Sequence, residues 1–282
     1  MSQKSYRNEK STLYLIPTPI GNMEDISVRC LNTLKSVDVI FSEDTRVTQQ
    51  LLNYFDIKKK LISSHSYNEK MNTEKLLEYL ESGKNVGLVT DRGTPIISDP
   101  GYILAKAAIE ANYNVVAIPG VTAFVPALIA SGLNPQPFLF YGFLSNKSSK
   151  RKKELLDLKN HPYTLIFYEA PHRLTEMLND ILETLGNRKI AISREISKKF
   201  EEIYRGDLKD IIAEVKDAKG EYVIVVDGNY ESKDYNNVSI AEHIELFVKE
   251  GNDIKTAIKL VAKERNVTKS EIYNEYHKIG RD

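Results

Sequence analysis

The sequence predicts an α/β protein built as two successive α/β units followed by a small helical tail. Two observations carry that reading. Short β-branched runs alternate along the chain with segments of helical period, the pattern of an α/β fold. Pro135-Gln136-Pro137 then interrupts the alternation, which resumes beyond it. A third observation points to a site: three strands run directly into Pro- and Gly-rich loops. Thr12-Leu13-Tyr14-Leu15-Ile16 enters Pro17-Thr18-Pro19-Ile20-Gly21-Asn22, Val86-Gly87-Leu88-Val89-Thr90 enters Asp91-Arg92-Gly93-Thr94-Pro95, and Val115-Val116-Ala117-Ile118 enters Pro119-Gly120-Val121-Thr122-Ala123. In an open parallel sheet, ligands bind outside the carboxyl ends of the strands, where such loops gather.

In chain order, the first unit has strands near 12–16, 38–42, 60–64, 85–90 and 114–118. Amphipathic segments such as Thr73-Glu74-Lys75-Leu76-Leu77-Glu78-Tyr79-Leu80 separate them, with Gly83 as a helix stop. Asp99 and Pro100 read as the N-cap and first position of the helix that carries Tyr102, Leu104 and Ala105. The second unit has strands near 138–142, 163–168, 188–194, 200–205 and 221–227, with helices near 148–160, 171–185 and 207–217. The polar stretch 229–237 has no apolar period and reads as a linker. Beyond it, 239–282 holds three short helices, with a helix-turn-helix pattern over 254–279. The expected divisions are 1–134, 135–230 and 231–282.

Composition excludes more than it selects. A chain of 282 residues, 41% hydrophobic and 28% charged, buries one large or two ordinary cores. Its zero net charge leaves a locally basic face open. No run approaches the ~18 apolar residues of a membrane span. The polar start Met1-Ser2-Gln3-Lys4 lacks a signal peptide's apolar core, so a cytoplasmic protein away from membranes is expected. Cys30 is the single cysteine, which rules out an intrachain disulfide and thiolate metal cages; beside Ile26, Leu31 and Leu34 it reads as a buried, inert thiol. His65, His161, His172, His243 and His277 show no metal-ligand spacing, so no metal is expected. Neither Gly-x-Gly-x-x-Gly after the first strand nor Gly-x-x-x-x-Gly-Lys-Ser/Thr occurs, and there is no Gly-x-Ser-x-Gly elbow.

Motifs from end to end then carry a resemblance. Leu15-Ile16-Pro17-Thr18-Pro19-Ile20-Gly21-Asn22, Glu43-Asp44-Thr45-Arg46, Asp91-x-Gly93-Thr94-Pro95 with Ser98-Asp99-Pro100-Gly101, Phe167-Tyr168-Glu169-Ala170-Pro171-His172-Arg173, Arg194-Glu195-Ile196-Ser197-Lys198 and Lys219-Gly220-Glu221 occur in that order. Together they resemble the small-subunit ribosomal RNA 2′-O-methyltransferase family, of the tetrapyrrole-methylase fold. The resemblance implies two α/β domains with an S-adenosylmethionine site in the cleft between them, a homodimer, and methylation of a cytidine ribose in the decoding region of 16S rRNA.

The residues fit such a cofactor. It presents an adenine, a ribose, an ammonium, a carboxylate and a sulfonium, so its site needs close backbone approach and a few fixed polar groups. Pro19, Gly93 and Gly120 suit close approach, Asp91 suits a cation or hydroxyl, and Thr94 and Thr122, next to Ala123, hydrogen-bond either way. Tyr168 and Glu169 are the matching candidates on the opposite wall. The bland alternative is that the Gly and Pro residues only turn the chain. For catalysis, the resemblance singles out Asn22, Asp44 and Arg46 as lining the meeting point of ribose and methyl group. Glu43 fits equally an acid in the first turn of a helix. Which group accepts the hydroxyl proton, if any does, stays open at this level.

For RNA, the basic run Lys147-Ser148-Ser149-Lys150-Arg151-Lys152-Lys153 offers Lys150, Arg151 and Lys152, and the second unit adds Arg173, Arg194 and Lys198. An isolated charge run is ordinarily a solvated face; its place beside a cleft favours RNA contact. Two positions depart from the family's pattern. Arg92 stands where a small residue is usual, so it points to solvent, pairs with a carboxylate or touches substrate, and Val121-Thr122 is closer to the wider fold family. A tetrapyrrole methyltransferase and a non-catalytic RNA-binding protein are therefore the alternatives.

Overall fold

The computed structural model describes residues 3–4, 10–65, 68–215, 219–229, 238–265 and 267–279. The chain forms two compact units, Met1–Gly228 and Asn229–Asp282. The first contains both sheets. β1 (Thr12–Leu15), β2 (Val39–Ser42), β3 (Lys60–Ser63), β4 (Val86–Val89) and β5 (Asn114–Ala117) make a five-stranded sheet in the order β3-β2-β4-β1-β5. Every pair in it is parallel, so the carboxyl ends of all its strands share one edge.

A parallel sheet has to be covered on both faces, which is why its strands are short apolar runs. Leu13, Phe41 and Leu88 pack with Leu76, Leu80 and Leu104 from α3 (Glu69–Glu81) and α4 (Tyr102–Glu110). Ile16, Ile40 and Val89 pack with Cys30 and Leu34 of α1 (Val28–Ser36) and Leu52 of α2 (Thr45–Tyr54). Cys30 is thus a core thiol. Gly83 ends α3's turn with φ +81°, as the sequence predicts.

α5 (Phe124–Ala130) leaves the first sheet but packs its Ala127 and Leu128 on Ile166, Ala191 and Val223 of the second. That sheet comprises β6 (Phe138–Phe143), β7 (Thr164–Glu169), β8 (Lys189–Arg194), β9 (Glu202–Asp207) and β10 (Tyr222–Val226) in the order β6-β7-β10-β8-β9. β6 and β7 are parallel and the rest antiparallel. α6 (Ser148–Leu158), α7 (Leu174–Leu185) and α8 (Leu208–Glu214) cover its other face through Leu155, Leu178 and Ile211. The loop after β5 is therefore carried between the two sheets.

One expected element start is corrected. Asp99 and Pro100 do not open α4, whose N-cap position is Gly101 at φ +126° with no side-chain cap. The preceding loop turns through positive φ at Ile96 (+77°) and Ser98 (+65°), which moves Asp99 off the helix end.

The second unit has its own core. α9 (Ile240–Lys249) opens with a reciprocal Ser239–Glu242 capping box, and α10 (Ile254–Glu264) with Asp253 accepting from the N–H groups of Lys255 and Thr256. With α11 (Lys269–Ile279) they enclose Ile244, Ala257, Ile258, Val261 and Ile272. Most of the expected linker, residues 230–237, lies outside the described residues.

Candidate functional site

The strand-end loops of the first sheet are stitched to one another. Thr18 and Gly93 exchange both backbone hydrogen bonds, at 2.9 and 3.0 Å, joining the β1 and β4 loops. The Thr94 hydroxyl donates to the Val121 carbonyl at 2.8 Å, joining the β4 and β5 loops. A Cβ on Gly120 would lie 2.6 Å from the Pro17 ring, so Gly120 is needed for loop-to-loop packing. At the β2 end the Asp44 N–H donates to Asp91 Oδ1 at 2.9 Å.

Between these loops and the second sheet lies a cavity of about 290 Å³. Ile20, Gly93, Thr94, Thr122 and Ala123 wall it on one side, and Phe143, Tyr168, Glu169, Ile196 and Val223 on the other. Asp99 also lines it. Sequence reasoning missed the apolar part of this wall, because a side chain on a distant strand gives no local signal of the loop it will face.

Tyr168 meets the rings of Phe140 at 5.1 Å and Phe143 at 5.5 Å, edge to face. Burial, ahead of every other cause, raises its phenol pKa, while Thr122 and the backbone at the start of α5 stand around its hydroxyl. Burial likewise raises the Glu169 carboxyl, whose Oε1 accepts from its own neighbour Ala170 N–H at 2.8 Å and whose Oε2 lies 3.1 Å from Arg173.

Other expected site residues stand beside the cavity instead of in its wall. Pro19 is buried, and its loop presents Ile20. Asp91 is occupied in holding the β2 loop, its pKa raised chiefly by burial. Asn22 accepts from the Glu24 N–H at 3.1 Å and caps the short turn Met23–Asp25. Asp44 caps α2 and grips the Arg46 guanidinium through both oxygens, at 2.6 to 3.2 Å. The Arg46 hydrogen bonds hold its carboxyl down at about 2.

The basic set divides. Arg151 has no exposed surface: its Nε donates to Asp180 at 2.6 Å and a terminal nitrogen lies 3.0 Å from Glu176. A guanidinium sealed in this way has nothing to offer a phosphate, so it serves the fold. Arg173 donates to the carbonyls of Leu144 and Ser145. Arg194 donates to the Lys219 carbonyl and pairs with Glu202, Lys198 pairs with Glu195 and Glu221, and Lys152 with Glu183. Lys147, Lys150 and Lys153 are exposed on the same stretch as Arg151.

The cavity suits a ligand carrying positive charge on an otherwise mixed apolar and hydroxylated body. Apolar walls take flat or aliphatic parts, while Asp99, Glu169 and the Thr122–Tyr168 hydroxyls offer acceptors. No group of His, Cys, Asp and Glu suited to a metal ion occurs among the described residues. Fold and site thus define an α/β protein with a small-molecule site in the cleft between a parallel and a mixed sheet.

A family model described as Tetrapyrrole (Corrin/Porphyrin) Methylases matches residues 12–212. The chain is 46% identical over 279 residues to "Ribosomal RNA small subunit methyltransferase I" of Bacillus subtilis, covering 96% of each. It is 45% identical over 285 residues to the protein of the same name from Halalkalibacterium halodurans, covering 98% of this chain and 99% of that one. Among solved structures, uroporphyrin-III-C-methyltransferase from Thermus thermophilus superposes with a TM-score of 0.57 at 20% identity, over 77% of this chain and 94% of that one. The methyltransferase CobJ gives 0.59 at 19%, over 78% and 95%. The chain belongs to the tetrapyrrole methylase family, whose methyltransferases use S-adenosylmethionine.

Proposed function

We propose that this protein transfers a methyl group from S-adenosylmethionine to the ribose 2′-hydroxyl of a cytidine in the decoding region of 16S rRNA. The observation that carries the reading is near-full-length similarity, at 46% identity, to a protein whose name specifies small-subunit ribosomal RNA. The structural likeness to tetrapyrrole enzymes, at 20% identity, speaks only for the fold.

When bound, S-adenosylmethionine supplies an electrophilic methyl group on a sulfonium. The chain's part is alignment and exclusion of water. Ile20, Phe143, Ile196 and Val223 give the cavity an apolar lining, and Thr122 and Tyr168 give hydrogen-bonding groups within it. Asp44 and Arg46 form a hydrogen-bonded ion pair at the neighbouring strand end, with the Arg46 side chain 87% exposed and so open to a phosphate or ribose. Exposed Lys147, Lys150 and Lys153 add positive charge for the RNA backbone. The divisions at 134/135 and 230/231 belong to the same reading, as do work in the cytoplasm and assembly as a homodimer. For the last, β6 is an edge strand of the second sheet and leaves Phe138, Tyr141 and Phe143 exposed.

The test is incubation with methyl-labelled S-adenosylmethionine and small subunits from a strain lacking the modification, followed by nuclease digestion and mass spectrometry. Label on a cytidine ribose is expected. Label confined to a base, or to an added tetrapyrrole, overturns the assignment. A monomeric mass in light scattering at micromolar protein overturns the dimer.

A further inference from the structure

The turn between β8 and β9 leaves the second sheet on the side that holds the cavity. Glu169, Tyr222, Arg194 and Glu202 stand in one row across β7, β10, β8 and β9. Glu169 and Tyr222 line the cavity, and so does Ile196 in the turn itself. With strands about 4.8 Å apart, Glu202 lies roughly 14 Å along that row from Glu169.

The turn has a defined shape. Glu195 and Ser197 both take positive φ, at +52° and +68°, a conformation uncommon outside glycine. They are held there because the Glu195 N–H donates to the Glu221 carbonyl, the Ser197 N–H donates to a Glu201 carboxylate oxygen, and the Lys198 ammonium bridges Glu195 and Glu221. The Ser197 hydroxyl donates to Asp25 beyond β1.

What this turn presents to solvent is Phe200. It is 71% exposed, more than any other Phe or Tyr among the described residues. Tyr54 and Tyr102, next in exposure, offer water a hydroxyl, and Phe200 offers none. Phe138 and Phe143 meet the rings of Phe124 and Tyr168, whereas among the described residues no ring packs on Phe200. Its neighbour Lys199 places an ammonium over the ring, 5.7 Å from the centroid. Arg194 and Lys198 are committed to carboxylates, while among the described residues none pairs with Lys199. The flanking Lys198, Lys199, Glu201 and Glu202 are charged, which suits a nucleic acid better than the charge-depleted core of a protein interface.

Resting on the methyl-transfer reading above, we infer that Phe200, with Lys199 beside it, is a stacking platform for an unpaired base of the substrate RNA strand close to the target nucleotide. A strand drawn to the cavity gives up base stacking beside its target. A flat ring held within about 14 Å of the cavity wall restores it, and an open ammonium next to the ring meets the adjoining phosphate.

The test uses Phe200→Ala, Phe200→Leu and Phe200→Trp in the full chain, with small ribosomal subunits lacking the modification. Filter retention reads subunit binding, and labelled S-adenosylmethionine reads methyl transfer. Phe200→Ala is expected to weaken binding about 5- to 150-fold, the loss of one stacked base, and to raise KM in step while kcat stays within about threefold. Leucine keeps apolar volume without a flat face, so Phe200→Leu should stay at least about fivefold weaker, whereas Phe200→Trp should bind within about twofold of wild type. The slope of binding against salt should hold in all three and fall by about 0.7–0.9 in Lys199→Ala. Calorimetric affinity for S-adenosylmethionine should stay within about twofold and the melting temperature within about 2 °C, because the side chain is exposed and outside the cavity wall.

Full binding by Phe200→Leu overturns the inference. So does a Phe200→Ala protein of altered mass in light scattering but intact affinity for the subunits, which assigns the ring to a contact between copies of the chain. An active wild type with an equally active and equally tight Phe200→Ala sinks this inference alone; a wild type that leaves the subunits unmodified sinks the functional reading and this inference with it.

Discussion

Replacing Arg151 separates charge that serves the fold from charge that serves RNA. Its guanidinium has no exposed surface and spans Asp180 at 2.6 Å, Glu176 at 3.0 Å and the Ser145 carbonyl at 3.3 Å. Asp180 is itself 5% exposed, and its other contacts are the Ser148 hydroxyl at 3.0 Å and Lys152 at 3.5 Å. Arg151→Ala therefore strands a buried carboxylate with a neutral donor and a distant ammonium, a change that costs about 3–5 kcal/mol. Lysine is no substitute, because a single ammonium cannot reproduce the planar fork that reaches three acceptors. Replacing both members, as Arg151→Met with Asp180→Leu, should recover most of the loss, since it leaves no orphaned charge.

The assay is urea unfolding followed by circular dichroism, with the slope checked for constancy so that midpoint shifts report stability. In parallel, converting Lys147, Lys150 and Lys153 together to alanine should leave stability within about 0.5 kcal/mol, as expected for exposed sites. That triple variant should weaken RNA binding and flatten its dependence on salt by up to about 0.7–0.9 for each phosphate no longer neutralised. The reasoning fails if Arg151→Ala unfolds at the wild-type midpoint yet flattens the salt dependence, for then the side chain reaches RNA in solution.

Three further outcomes are expected. Gly120→Ala drives a Cβ to within 2.6 Å of the Pro17 ring, which the Thr18–Gly93 pair keeps from retreating; about 1–3 kcal/mol of stability and at least tenfold in S-adenosylmethionine affinity should be lost, as read by thermal melts and calorimetry. Asp99 keeps its proton up to about 7 when folded but releases it near its ordinary 3.8 when unfolded, so the folded state binds more protons in that window and stability falls as pH rises through it. Asp99→Asn should remove that fall: the full displacement corresponds to about 4 kcal/mol, which partial solvent access reduces to about 1–2 kcal/mol gained at pH 8 and little at pH 4, and identical melts at pH 8 would refute it. Ending the chain at Asn237 should preserve cofactor affinity and weaken RNA binding, because the residues beyond form a unit with its own core; loss of cofactor binding on truncation would count against that separation.

Much of the fold was legible, because the strands are β-branched runs with turn residues at both ends, and the structure places each within a residue or two of its predicted range. The site was legible in its loops and less so in its side chains. Arg151 carried a signal that its basic surroundings obscured: Leu155 and Leu158 follow it at the spacing of one helix face, so position 151 turns inward while 150 and 153 do not. Asp99 carried no such signal. An Asp-Pro pair before an apolar helix is a sound cap by local rules, and only the positive φ values at Ile96, Ser98 and Gly101, set by packing against β6 and Leu88, turn it into the cavity. Local propensity yields to tertiary contact where the backbone is strained, and strain concentrates at sites.

Arg92 shows how a residue that looks misplaced in sequence finds its reason across the cleft. Of the three fates open to a long cation in the cofactor loop, the structure adopts the second: Arg92 pairs with Glu221, just before β10, and Glu221 also receives Lys198 at 3.0 Å. The Lys198 stem in turn fills the space over Gly21, where a Cβ would lie 2.5 Å from it, and the neighbouring Ser197 hydroxyl donates to Asp25. The loop before β9 and the start of β10 are thereby laced to the β1 and β4 loops by polar contacts. Arg92 and Glu221 are half-exposed or more, and ion pairs of that kind contribute about 0–1 kcal/mol each. The firm connection between the sheets is apolar, through α5 against β7, β8 and β10, whereas the lacing at the cavity wall is polar and weak. The side of the cleft where Arg92 and Glu221 stand is thus held by exposed polar contacts, while the loops that shape the cavity are joined to one another by the Thr18–Gly93 and Thr94–Val121 hydrogen bonds.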